Sequence, residues 1–175
     1  MPESGGRNRQ SVWSESSRTR LVLALLILAW MGVIFYFSAQ NGAQSSQTSG
    51  RVVKEVIRVV YPDFSSMPKQ KQTSLQHMIT LIVRKGAHFT EYLILGALLA
   101  AFVHTFTEKR FHMVWMAWLA GTIYAAGDEL HQMFSNGRTP KLLDVCIDSS
   151  GVLCGAALCL AAAALAVWIR RRRQK

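Results

Sequence analysis

The sequence predicts an all-α, polytopic membrane protein: a bundle of four transmembrane helices with an amphipathic helical loop between the first two. Three observations predict it. Half of the 175 residues are apolar, yet they gather in blocks rather than in amphipathic faces. One block, residues 21–38, carries no charge and spans ~27 Å as a helix at 1.5 Å per residue. The ionisable residues that do enter apolar blocks fall at matching ends of them once the helices alternate in direction. A charge at helix-centre depth costs roughly 2.5–3.5 kcal/mol on insertion scales, so such residues pair or carry a function.

The elements follow in order. Residues 1–20 are polar and rich in Ser and Arg, and are expected to be a disordered head. The first span, 21–38, exceeds the ~7–15 apolar residues of a secretory signal. No small-residue cleavage pattern follows it; Tyr36 and Phe37 stand there instead, so it is read as an anchor. Residues 39–46 are turn-rich. Within 51–60, Val52, Val53, Val56, Ile57, Val59 and Val60 share a broad apolar face opposite Lys54 and Arg58, the pattern of a helix lying in the membrane interface. Pro62 and Pro68 end that helix. Leu75, Met78, Ile79 and Ile82 then recur at helical spacing and slope into the second span. Residues 86–106, 111–133 and 143–169 are the remaining spans, and 170–175 form a basic tail. The membrane domain is thus 21–169, with no internal repeat.

The formal net charge is +10, but the basic residues flank spans instead of forming an aromatic-interleaved patch, which argues against a nucleic-acid partner. Arg18 and Arg20 precede the first span, Lys109 and Arg110 separate the second and third, and Arg170 to Arg173 close the fourth. By the positive-inside rule both termini are cytoplasmic in a plasma (inner) membrane. Cys146, Cys154 and Cys159 lie within the last span; an odd number in one helix makes no disulfide framework, and they read as small packing residues.

With this topology the polar clusters meet in one leaflet. The second span supplies Arg84, Lys85, His88, Glu91 and Tyr92; the third, Asp128, Glu129, His131 and Gln132; the fourth, Asp144 and Asp148. Asp144, Asp148, Gly151, Gly155 and Cys159 recur along one helical face, and Gly151 and Gly155 have the spacing that lets helices approach closely in lipid. Ala117, Gly121, Ala125, Asp128 and Gln132 form a comparable face on the third span. These residues are expected to line one cavity.

The strings Phe37-Ser-Ala-Gln40, Arg84-Lys-Gly-Ala-His-Phe-Thr-Glu-Tyr92, Asp128-Glu-Leu-His-Gln132 with Arg138, and Asp144 followed by Asp148 and Gly151 closely resemble VanZ-like proteins. That family is named for a bacterial protein of resistance to the glycopeptide teicoplanin. The resemblance runs in order from about residue 35 to 155. Asp148 and Ser149 depart from the Asn and Thr of the family pattern, which adds a carboxylate. The resemblance implies a cell-envelope protein and an antibiotic response; it supplies no reaction.

Three uses of the cluster are open. In the first, Arg84, Lys85 and Arg138, with Gln40, Tyr92 and Gln132, bind an anionic membrane lipid or a lipid-linked wall precursor. In the second, His88, Glu91, Asp128, Glu129, His131, Asp144 and Asp148 act as acid–base or metal-assisted catalysts on such a substrate. No zinc-protease string and no Gly-x-Ser-x-Gly nucleophile is present, and the sequence assigns neither metal nor cofactor. In the third, the charges pair to fix helix register, and the protein is a scaffold for envelope enzymes.

Overall fold

A computed structural model describes residues 7–40, 42–136 and 142–174. Among them the chain is entirely helical: α1 (Arg7–Ser38), α2 (Gly42–Val60), a 3-10 turn (Phe64–Ser66), α3 (Lys69–His104), α4 (Arg110–Asn136) and α5 (Leu142–Arg173). α3 is the hub and touches α1, α2, α4 and α5.

Three of these helices, at Ser16–Ser38, Lys69–His104 and Leu142–Arg173, are long and apolar enough to cross a membrane. α4 is 27 residues long, or ~40 Å, but its apolar run is diluted by Trp115, Trp118, Tyr124 and the Asp128–Glu129 pair. Large apolar side chains cover the outside of the bundle: Leu28, Ile123, Leu158 and Trp168 are all exposed. The interior adds small and polar groups to its apolar side chains, an arrangement suited to lipid, where burying leucine against leucine gains little over burying it against acyl chains.

Close packing depends on glycine. A Cβ on Gly155 or Gly151 of α5 would collide with the Leu93 or Phe89 carbonyl of α3, and one on Gly96 would strike the Val152 backbone. These contacts place α3 and α5 side by side and parallel. α1 and α4 run the other way. At one end of the bundle Arg20 Nη2 donates to the Thr105 carbonyl at 2.7 Å, and its guanidinium lies 4.1 Å from the Phe106 ring centroid. At the other end Ser38 meets Asp128. The apolar core between them comprises Ile27, Ile34, Tyr92, Leu95, Ala125 and Val152.

Three sequence expectations are corrected. Residues 7–20 of the expected disordered head are helical and continue α1, because no Pro or Gly interrupts the helix after Arg7. The turn-rich stretch after Gln40 becomes the first turns of α2, where Thr48 and Ser49 return their hydroxyls to the carbonyls of Gln44 and Ser45. The apolar face of α2 is also not simply turned to an interface: Val53 and Ile57 are buried against Ile79 of α3. α2 ends at Val60, ahead of Pro62, and Pro68 caps a single α3 that absorbs both the helical slope and the second span. Among the cysteines, Cys159 packs near Ala100 and Ala156, whereas Cys146 and Cys154 are exposed and pack no core.

Candidate functional site

Four helices bring polar side chains to one end of the bundle. The helical periods of α3, α4 and α5 each carry two or three of them on the inward side, and Ser38 arrives on the last residue of α1. The deepest part is a three-residue network. Ser38 Oγ donates to Asp128 Oδ2 at 2.7 Å, and Gln132 Nε2 donates to Ser38 Oγ at 2.6 Å and to Asp128 Oδ2 at 3.3 Å. Asp128 is only 4% exposed. Its other oxygen, Oδ1, and the adjacent Tyr92 hydroxyl are buried and make no well-aligned hydrogen bond among the described residues, although the hydroxyl lies within bonding reach of the carboxyl group. Buried polar atoms of this kind are uncommon and call for an explanation in function or hydration.

The acids gather around Asp148 of α5, which is 6% exposed and within electrostatic reach of Asp128, Asp144, Glu129 and Glu91. At the rim, Lys85 Nζ pairs with Asp144 Oδ1 at 2.8 Å, with both side chains more than a third exposed. His88 Nδ1 faces Glu91 Oε2 at 3.6 Å, one turn apart on α3, and Glu91 Oε2 is buried without a hydrogen bond. Trp30 Nε1 donates to the Glu91 carbonyl at 2.9 Å, and the Tyr124 hydroxyl donates to the Met31 carbonyl at 2.7 Å, so α1 is tied to both α3 and α4. Thr122 and Ser149 share a hydrogen bond of 2.8 Å between α4 and α5.

Beside this polar end, an open groove of about 420 Å³ runs between α1, α2 and α3, with Glu91 at its polar point and Trp30, Val83, Thr90 and Ile94 among its walls.

The expected site residues therefore fall into three groups. Tyr92, Asp128, Glu129, Gln132 and Asp148 are buried in the helix interfaces. Lys85, Asp144, His88 and Glu91 lie nearer the surface in pairs, and Arg84 is half-buried on the same stretch of α3. Two residues have contacts beyond the acids: Gln40 accepts from Thr48 of α2 at 3.1 Å, and His131, within electrostatic reach of Asp128, also packs on Phe35 with ring centroids 4.4 Å apart. Arg138 lies outside the described residues. Among the described residues, no three His, Cys, Asp or Glu side chains are placed to hold a metal ion together. Ser38 and Trp30 are additions that charge-based reasoning missed, since α1 has no ionisable residue after Arg20; a lone Ser at the end of an apolar span was the available signal.

No curated protein and no solved structure matches the chain. The model of the VanZ/LLP1 family, however, matches residues 23–165, a segment that contains α1 from Leu23, the polar end and the glycine contacts of α5. The chain belongs to the VanZ/LLP1 family.

Proposed function

We propose that the protein is a four-span envelope protein of the plasma membrane that engages a lipid or a lipid-linked wall precursor at its polar end and thereby alters tolerance to glycopeptide antibiotics. The half-exposed Lys85–Asp144 pair carries this reading, because it sets a cation at the rim of a buried acid cluster and beside an open groove. A phosphate that displaces Asp144 from Lys85 exchanges one charge-assisted contact for another. α4 counts as a fourth span in this reading: it packs against both α3 and α5, and its acids Asp128 and Glu129 are buried.

The proposed topology has both termini in the cytoplasm, with the polar end in the outer leaflet. Reporter fusions after Ser65 and after Lys109 test it; an exported signal at Lys109 with a cytoplasmic one at Ser65 inverts it. The family name points to glycopeptide resistance, and its extension to this chain belongs to the proposal.

A catalytic reading is favoured by one observation, the His88 Nδ1 to Glu91 Oε2 approach, which resembles a base held by an orienting carboxylate. One experiment separates the two. Lipids and wall precursors are profiled in a deletion strain and in a strain carrying Glu91→Gln with Asp128→Asn. A precursor that accumulates in both identifies an enzyme. An unchanged pool with lost glycopeptide tolerance supports binding.

A further inference from the structure

We infer that the groove at Glu91 takes the ammonium headgroup of an aminophospholipid, with an acyl chain lying along the apolar wall toward Ile94. This deepens the lipid reading above and rests on it.

The groove has the shape for a chain. Gly86, Ala87, Thr90 and Ile94 recur along one face of α3, and the small members leave a trough of about 420 Å³ that opens between helices whose outer faces are apolar. That volume lies in the ordinary range of ligand pockets, ~300–1,000 Å³.

Its polar point has the chemistry for a cation. Glu91 is the one ionisable residue among the described lining residues, and its Oε2 is buried with no hydrogen bond and only the 3.6 Å approach of His88 Nδ1. Trp30 stands beside it, fixed by the 2.9 Å bond from its indole nitrogen to the Glu91 carbonyl. A carboxylate and an indole face together recognise ammonium, the first by ion pairing and the second through its ring quadrupole. Asp128 and Asp148 lie within electrostatic reach of Glu91, so the local field is negative. A headgroup with only negative charge is repelled here, and a sugar or glycerol headgroup leaves the carboxylate only the 3.6 Å approach of His88 Nδ1.

The test uses the full chain in nanodiscs that contain equal parts of phosphatidylethanolamine and phosphatidylglycerol with matched acyl chains. Lipids retained after release into mild detergent are counted by native mass spectrometry. The wild type is expected to retain the ethanolamine lipid about tenfold over the glycerol lipid, the scale of one charge-assisted hydrogen bond. Glu91→Gln is expected to abolish that preference and Trp30→Phe to reduce it. Thr90→Leu, which fills the trough without touching the charge, is expected to lower ethanolamine-lipid retention, and it carries the test if Glu91→Gln does not fold. Equal retention of both lipids by the wild type, or an undiminished preference in Glu91→Gln, overturns the inference. If both lipids are retained equally and Lys85→Ala lowers both, the amine assignment falls while the broader lipid reading stands. If the wild type retains neither, both fall.

Discussion

Replacing Ser38 by alanine removes one hydroxyl and disturbs the polar bonding between two helices, α1 and α4. Ser38 is 1% exposed, and its Oγ both donates to Asp128 at 2.7 Å and accepts from Gln132 at 2.6 Å. After the substitution Asp128 Oδ2 keeps the 3.3 Å contact from Gln132, and the Tyr92 hydroxyl is the carboxyl group's other close donor. Interhelical hydrogen bonds in lipid average ~0.6 kcal/mol and reach ~1.7. This one terminates on a carboxyl group and serves two partners, so the upper end applies. Leaving a buried acceptor unsatisfied adds to it, within a range of ~1–3 kcal/mol per group. The expected loss is about 2 kcal/mol, of which about 1–1.5 kcal/mol is coupling to Asp128.

The assay is equilibrium unfolding in mixed micelles with increasing sodium dodecyl sulfate, for wild type, Ser38→Ala, Asp128→Ala and the double variant. A cycle gives the coupling directly. Ser38→Ala within ~0.5 kcal/mol of wild type, the usual scatter of inconsequential substitutions, refutes the assignment of this network. So does a coupling energy near zero.

Two further outcomes follow from the same geometry. Gly155→Ala drives a methyl group into the Leu93 carbonyl, so α3 and α5 must separate; a loss of about 1–3 kcal/mol is expected, whereas Gly32→Ala, which meets nothing within 4 Å, is neutral or slightly stabilising. Lys85→Ala breaks an ion pair whose members are 40% and 36% exposed, so it costs less than about 1 kcal/mol of stability. Any larger loss of glycopeptide tolerance in that variant, at normal protein level on an immunoblot, is therefore due to ligand and not to folding.

Three of the four expected spans were legible because lipid imposes a length and a polarity on each helix, and the inward faces because polar and small residues share a period. Asp148, Gly151 and Gly155 read correctly as one face for that reason. What escaped depended on neighbours. The apolar face of α2 looks the same whether it meets lipid or Ile79, so its partial burial against α3 leaves no separate sequence mark. The early start of α2 at Gly42 came from helix propagation through Gln and Ser residues whose local preference is for turns. Trp30 and Ser38 were invisible to a search for charges, although each supplies a hydrogen bond to a chain segment that carries an acid. His131 and Gln40 show how contacts with neighbours add to residue type: His131 packs on Phe35 while within electrostatic reach of Asp128, and Gln40 accepts from Thr48.

Paired cysteines test the convergence of α1, α4 and α5 most directly. In a background with Cys146, Cys154 and Cys159 replaced by alanine, two pairs are introduced in membranes: Ser38→Cys with Asp128→Cys, and Thr122→Cys with Ser149→Cys. Their native side-chain oxygens are 2.7 and 2.8 Å apart. Mild oxidation is expected to close an intramolecular disulfide in each, seen as a reductant-sensitive shift in electrophoretic mobility, while Ser38→Cys with Thr105→Cys, at opposite ends of the bundle, stays open. Failure of both native pairs to close, or ready closure of the end-to-end pair, contradicts the account.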